Sequence, residues 1–304
     1  MIRRPPRSTQ GVSSAASDVY KRQGNKKGAK TWPGFNAGMR GQKGSGYDGG
    51  HRVPFFIHWP AGGLHGGRDL NTLSAHIDVL PTLLELCGVK RPLDGTPAVD
   101  GRSLAPLLQG KEPDWPERTL FVHSQRIEHV KKGRNNSVMT KRWRLVNNKE
   151  LYDITADPGQ AKNIATKHPA VVKDLNKAYD GWWKSLSPVF DTIVYLGLGN
   201  DAENPANLTC HDWHTNNGPV PWNQGHIRSG LKANGFWAVT VTRSGKYRIT
   251  LRTRPPGIDH PLAATTAKLV IGKPTREHPV AADATSVSFS VELKAGDARL
   301  QTTL

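Results

Sequence analysis

The chain has 304 residues, 36% of them hydrophobic, and 42 Lys and Arg against 25 Asp and Glu give it a formal charge of +17. The composition is globular, and no apolar run reaches the roughly 20 residues that a helical membrane span demands. The charge favours anionic partners, but the basic residues are dispersed and form no nucleic-acid motif, so nucleic acid is the weakest of the partner readings. Two cysteines, Cys87 and Cys210, lie too far apart in sequence for a metal knuckle.

In chain order, Met1–Gln23 comes first. It has no hydrophobic segment to act as a signal peptide and no helical or strand period. Met1–Thr9 reverse-translates into a flow-cell primer and Ser13–Gln23 into a transposase adapter, both from short-read sequencing. Residues 1–23 are therefore read as a sequencing artefact, disordered and outside the fold. Five Lys or Arg and one Asp fall there, so removing that +4 leaves +13. On this reading the native N-terminus lies upstream of Gly24.

Gly24–Gly50, rich in Gly and Lys, reads as a long loop, and long loops in compact domains are often functional. Arg52–Pro60 (RVPFFIHWP) has the apolar signature of a buried strand. Asn71–Gly88 carries Ile77, Leu80, Leu83, Leu84 and Cys87 at helical spacing, with Pro81 near a start or kink and Gly88 as cap; Cys87 is expected buried. Asp100–Gly110 predicts a turn and short helix, and Leu120–His123 a strand. Ser137–Val146 and Glu150–Ile154 predict two antiparallel strands around Asn147-Asn148. His168–Ser185 is an amphipathic helix, with Pro188 just beyond it. From there helix signals fade. Phe236–Val241, Gly245–Thr253, Ala267–Ile271 and Ser286–Leu293 alternate apolar and polar, which predicts an all-β sandwich. The expected organisation is one domain over 24–190 and a second over 191–304.

The chemistry concentrates in Phe35–Pro54 (FNAGMRGQKGSGYDGGHRVP). Glycines allow close backbone approach to a ligand, and Lys43 offers a compact positive charge for an anionic oxygen. The spacing is not that of a phosphate-binding P-loop. Asp48-Gly49-Gly50 reads as turn chemistry, with Arg52 a candidate partner for Asp48. His76 and His123 sit near element ends. In the tail, His211, Asp212 and His214 make an H-D-x-H cluster that suits either a metal or simple packing. Trp213, Trp222, Phe236 and Trp237 suit either sugar stacking or the core.

Four segments in one order resemble elements of the formylglycine-dependent sulfatase family. They are Lys43–Pro54 (KGSGYDGGHRVP), Ser74–Gly88 (SAHIDVLPTLLELCG), Asp100–Leu108 (DGRSLAPLL) and Leu151–Ile164 (LYDITADPGQAKNI). The resemblance implies an α/β, alkaline-phosphatase-like core that is only partly present, a C-terminal antiparallel subdomain, and then the sandwich-like β-domain, itself similar to a bacterial accessory domain. It implies hydrolysis of an aryl or carbohydrate sulfate ester by a formylglycine nucleophile with Ca²⁺ on the sulfate. It implies that Lys43 is catalytic, contacting a sulfate oxygen, with His51 and Arg52 as further substrate-binding candidates. The partner expected is then a sulfated small molecule or polysaccharide.

The departures are as informative. No C/S-x-P-S-R nucleophile motif and no Asp pair is present, and Gly24 is read as the Gly of an Asp-Asn-Gly metal element whose first two residues were lost. No metal ligand is expected in this chain, and a Lys alone generates no nucleophile, so the chain is expected to be inactive as it stands. Localisation is expected to be periplasmic or extracellular, with the targeting segment upstream. A phosphonate or phosphate monoesterase of the same superfamily and a non-enzymatic binder of sulfated glycans are the alternatives.

Overall fold

The computed structural model describes residues 37–42, 44–90, 98–111, 115–125, 127–215, 218, 220–221, 223–273 and 275–304. The chain divides into two compact units: Met1–Arg126 with Val130–Pro188, and Ile127–His129 with Val189–Leu304. The expectations for residues 1–36, and for Lys43 and Trp222, fall outside the described residues.

In the first unit, three short helices precede the sheet: α1 (Asp48–His51), α2 (Val79–Leu86) and α3 (Ala105–Leu108). A four-stranded antiparallel meander follows in simple order, β1 (Leu120–His123), β2 (Asn136–Met139), β3 (Trp143–Val146) and β4 (Glu150–Asp153). Helix α4 (Pro169–Leu186) closes the unit. The predicted antiparallel subdomain is thus present.

Asn147 and Asn148 both have positive φ (50° and 62°), the backbone that a tight β3–β4 hairpin requires and that Asn tolerates. The other boundary differs from expectation: Ser137–Val146 is not one strand. Thr140 Oγ1 accepts the Trp143 N–H and the chain turns at 140–142, giving two strands that pair with each other.

Side chains alternate across a sheet, and that alternation gives the meander two different faces. Val138, Leu145 and Leu151 pack with Leu175 and Tyr179 of α4 in a buried cluster. Arg144, Val146, Glu150 and Tyr152 belong to the opposite face, with Arg144 paired to Tyr152 and Val146 to Glu150. His123 packs against Trp182 and Trp183, and burial lowers its pKa; its surroundings are those of a core histidine, not a cleft.

Two expectations are corrected here. Arg52–Pro60 forms no strand. It is extended and largely exposed, with Phe56 86% accessible and only an isolated bridge from Trp59 to Leu64. Apolar composition alone does not make a strand when no neighbouring strand supplies ladder partners. Likewise α2 forms, with Gly88 in the left-handed region at its end, but Leu80, Leu83 and Cys87 are exposed.

The second unit is a two-layer β structure. Its strands are β5 (Leu196–Leu198), β6 (Phe236–Val241), β7 (Gly245–Leu251), β8 (Thr266–Ile271), β9 (Thr275–Pro279), β10 (Val287–Leu293) and β11 (Gly296–Thr303). Five form one sheet in the order β5-β6-β11-β8-β9, and β10 pairs with β7 in another. Trp237, Val239, Leu269 and Leu300 of the first sheet share a core with Leu251, Phe289 and Val291 of the second. The sandwich-like expectation holds. Strands β5, β9 and β11 were not foreseen.

Candidate functional site

The four sulfatase-like segments are not scattered in space. They meet in two pairs, each held by buried polar contacts.

The first pair joins 74–88 to 100–108. Asp78 is fully buried at the start of α2. Its carboxylate accepts hydrogen bonds from the backbone of Ala75 (2.7 Å) and Arg102 (2.9 Å) and from both terminal nitrogens of Arg118, one at 2.8 Å. Thr82 Oγ1 accepts the Leu104 N–H at 2.8 Å. Gly101 lies so close that a Cβ there would sit 1.9 Å from the Ile77 carbonyl oxygen. Only glycine permits that approach. Burial pushes Asp78 toward neutrality, but these donors outweigh it and hold its pKa below the usual carboxylate value.

The second pair seats the Lys43 loop on the polar face of the meander. Asp48 is 2% exposed and Arg144 5%. Arg144 Nε donates to Asp48 Oδ1 at 3.0 Å, while the Asp48 N–H donates to Gln160 Oε1 at 2.7 Å. Tyr47 and Tyr152 both donate to Glu150 Oε2, at 2.7 and 2.6 Å. Arg40 lies over the Tyr47 ring at 4.2 Å and donates to the Tyr152 hydroxyl (2.9 Å) and the Gln160 carbonyl (3.2 Å). A Cβ on Gly46 would stand 2.6 Å from the Asn136 carbonyl oxygen, so this glycine lets the loop lie flat on β2. Burial together with the Glu150 carboxylate raises both tyrosine pKa values. Glu150 itself is held low, because the two hydroxyls and Arg40 outweigh its burial.

The Ser45 N–H donates to the Gln42 carbonyl (2.9 Å) and the Gln42 N–H to Ser45 Oγ (3.1 Å). Gly44 between them has φ of 89°. His51 Nε2 is 3.3 Å from the Gly46 carbonyl and 3.9 Å from Asp48. Arg52 caps α1 through its backbone N–H, which donates to the Asp48 carbonyl. The acid-Gly-Gly turn is one turn of helix rather than a β-turn. Arg144 and Gln160, which hold Asp48, carried no sequence signal, because they lie 96 and 112 residues from it.

The H-D-x-H cluster does not converge. Asp212 accepts from the Thr209 N–H and hydroxyl, whereas His214 faces Glu128 at 2.8 Å and stacks on Phe236. Trp213 and Trp237 pack edge-to-face within the core. Among the described residues no three His, Cys, Asp or Glu side chains are grouped to hold a metal.

The first unit is similar to the C-terminal region of sulfatases. Residues 42–181 match the family model described as N-sulphoglucosamine sulphohydrolase, C-terminal. The chain is 43% identical over 98 residues to human (Homo sapiens) arylsulfatase D, covering 32% of this chain and 16% of that protein. It is 33% identical over 193 residues to Mus musculus steryl-sulfatase, covering 53% and 30%. It is 30% identical over 149 residues to N-acetylgalactosamine-6-O-sulfatase of Bacteroides thetaiotaomicron, covering 45% and 28%. The chain therefore spans less than a third of each of these relatives.

The carboxylates buried here set an expected acid response. Asp78, Glu150 and Asp153 all have folded pKa values below their ordinary ones. A depressed carboxylate contributes stability that is complete above its unfolded pKa and lost as pH falls through its folded pKa. Urea midpoints are therefore expected to hold near neutrality and fall below about pH 4, where unfolded carboxylates begin to take up protons. Asp78→Asn is expected to flatten that fall. An equally steep fall in the variant would show that Asp78 does not contribute.

Proposed function

We propose that this chain is part of a sulfuric ester hydrolase acting on an aryl or carbohydrate sulfate, with Lys43 as the residue that meets a sulfate oxygen. The observation that supports this most is the seating of the loop. Residues on both sides of position 43 are bonded to each other, and the same loop is tied to β3, β4 and Gln160 at four points. A lysine ammonium is suited to meet the negative charge that develops as the S–O bond breaks. His51 and Arg52 flank the same turn and are proposed as secondary substrate contacts.

In this proposal the nucleophile is a formylglycine and the sulfate is also bound by Ca²⁺. The described residues do not fit the metal: they hold no cluster of metal-type side chains, and Asp48, the acid in the loop, is engaged by Arg144. No step is derived through either group. What this part of the chain supplies is binding and orientation of the anionic sulfate group. The enzyme is proposed to work in the periplasm or outside the cell.

The test begins with nucleic acid. Sequencing upstream of the Gly24 codon is expected to find Asp-Asn immediately before it, then C/S-x-P-S-R and an Asp pair further up. The extended protein is then expected to release sulfate from an aryl sulfate and to prefer it over the matched phosphate or phosphonate. A native start codon downstream of those elements, or phosphate release in preference to sulfate, would overturn the assignment.

A further inference from the structure

One residue in the turn after β4, Gln160, combines features that its own stability does not explain. Its backbone lies in the left-handed region, with φ of 52°, which glycine or asparagine adopts at less cost. It is fully buried, and its side-chain Nε2 has no hydrogen-bond partner among the described residues. A strained backbone and an unmatched buried donor are each unfavourable, and a residue that carries both calls for a reason.

The reason lies in what its two oxygens reach. The side-chain Oε1 accepts the N–H of Asp48, the first residue of α1, at 2.7 Å. The backbone carbonyl accepts from Arg40 Nη1 at 3.2 Å. The chain before position 43 and the chain after it are thus bonded to the same residue. The neighbouring Gly159 adds a third approach, since a Cβ there would stand 3.2 Å from the Gly38 carbonyl oxygen. The turn is itself tied to β4. The Asp157 N–H donates to the Asp153 carbonyl (2.7 Å) and the Gln160 N–H to the Asp157 carbonyl (3.0 Å). The Asp157 carboxylate accepts the Ala161 and Lys162 N–H groups at 3.1 and 2.8 Å. Glycine at 160 would relieve the backbone but leave the Asp48 N–H without its acceptor. Asparagine would relieve it too, but its amide is one methylene shorter.

We propose that Gln160 is a positioning residue: it sets the place of Lys43 by holding the chain on both sides of it, and it acts on a bound sulfate group only through that lysine. The role of Lys43 in this inference rests on the sulfatase reading; the placement of the loop does not.

The test compares Gln160→Met, which keeps the length of the side chain and removes the acceptor, with Gln160→Glu, which keeps an acceptor oxygen. In the full chain, hydrogen exchange read by mass spectrometry is expected to be about tenfold faster over residues 44–52 in Gln160→Met, with β1–β4 and α4 unchanged. Gln160→Glu is expected to exchange like the parent. Faster exchange throughout the first unit in Gln160→Met would make Gln160 an ordinary core residue and overturn the proposal. So would unchanged exchange over 44–52, or the same speeding in Gln160→Glu. In the enzyme extended upstream, Gln160→Met is expected to lower kcat on an aryl sulfate about tenfold, with KM changed less than about twofold. In a Lys43→Ala background the same substitution is expected to cost nothing further, because its effect passes through the lysine. An equal loss in both backgrounds would overturn the positioning role. An extended enzyme that releases no sulfate would instead strike the sulfatase reading, and the exchange measurement would still decide whether Gln160 places the loop.

Discussion

Replacing Arg144 with Met is expected to destabilise the first unit by about 3–5 kcal/mol, the cost of leaving one partner of a buried ion pair without the other. Asp48 and Arg144 are both buried, and the guanidinium also donates to the Trp143 and Thr140 carbonyls, so its removal strands three acceptors. Burial lowers the Arg144 pKa, and the neighbouring Asp48 charge opposes that shift. The damage should be local before it is global. Tyr47 and Arg40 still hold the start of the loop, while Asp48 keeps its backbone bonds to Gln160 and Arg52 and the His51 imidazole 3.9 Å from its carboxylate. Faster hydrogen exchange through residues 44–52 is therefore expected, together with a lower urea midpoint. The double variant Asp48→Asn/Arg144→Met should recover part of the loss, because it removes the stranded charge. A cost under about 1 kcal/mol for Arg144→Met would rank this pair with surface ion pairs and would remove its claim to hold the loop.

In the enzyme extended upstream, Lys43→Ala is expected to lower kcat about 10²–10³-fold, the range for losing one preorganised group that faces transition-state charge. Lys43→Arg should not restore it, since a planar fork replaces a compact charge on a turn closed by Gln42 and Ser45. His51→Ala and Arg52→Ala are expected to cost less than Lys43→Ala, and His51→Ala also to loosen the loop through Gly46. Urea midpoints of the Lys43 variants should match the parent, separating chemistry from folding. Retention of more than about a tenth of the activity in Lys43→Ala would sink the catalytic role.

Much of the local structure was legible because its causes are local. The β3–β4 turn is written in Asn147-Asn148, and the end of α2 in Gly88, each a residue type that accepts positive φ. Helix α4 is written in its amphipathic period and in Pro188 beyond it. The sandwich strands β6, β7, β8 and β10 alternate in plain view. Strand β11 alternates as well, but of its inward row only Leu300 is large and apolar, so its signature is fainter. Strand β9 (TREHP) escaped notice for another reason: it is an edge strand, whose exposed side chains need no apolar alternation. Arg52–Pro60 was the opposite error, an apolar run with no partner to pair with among the described residues.

By itself, then, the sequence determined the β3–β4 turn, helices α2 and α4, four of the sandwich strands, and which four motifs resemble those of the sulfatases. Propensity, period and motif are properties of neighbours along the chain. Only the tertiary structure decided what those motifs pack against. It joined 74–88 to 100–108 through Asp78, and seated the Lys43 loop on β3 and β4 through Arg144, Glu150 and Gln160. Those bonds span 24 to 112 residues. A buried charge must find its partner wherever the fold brings one, and no local pattern records which distant residue that is.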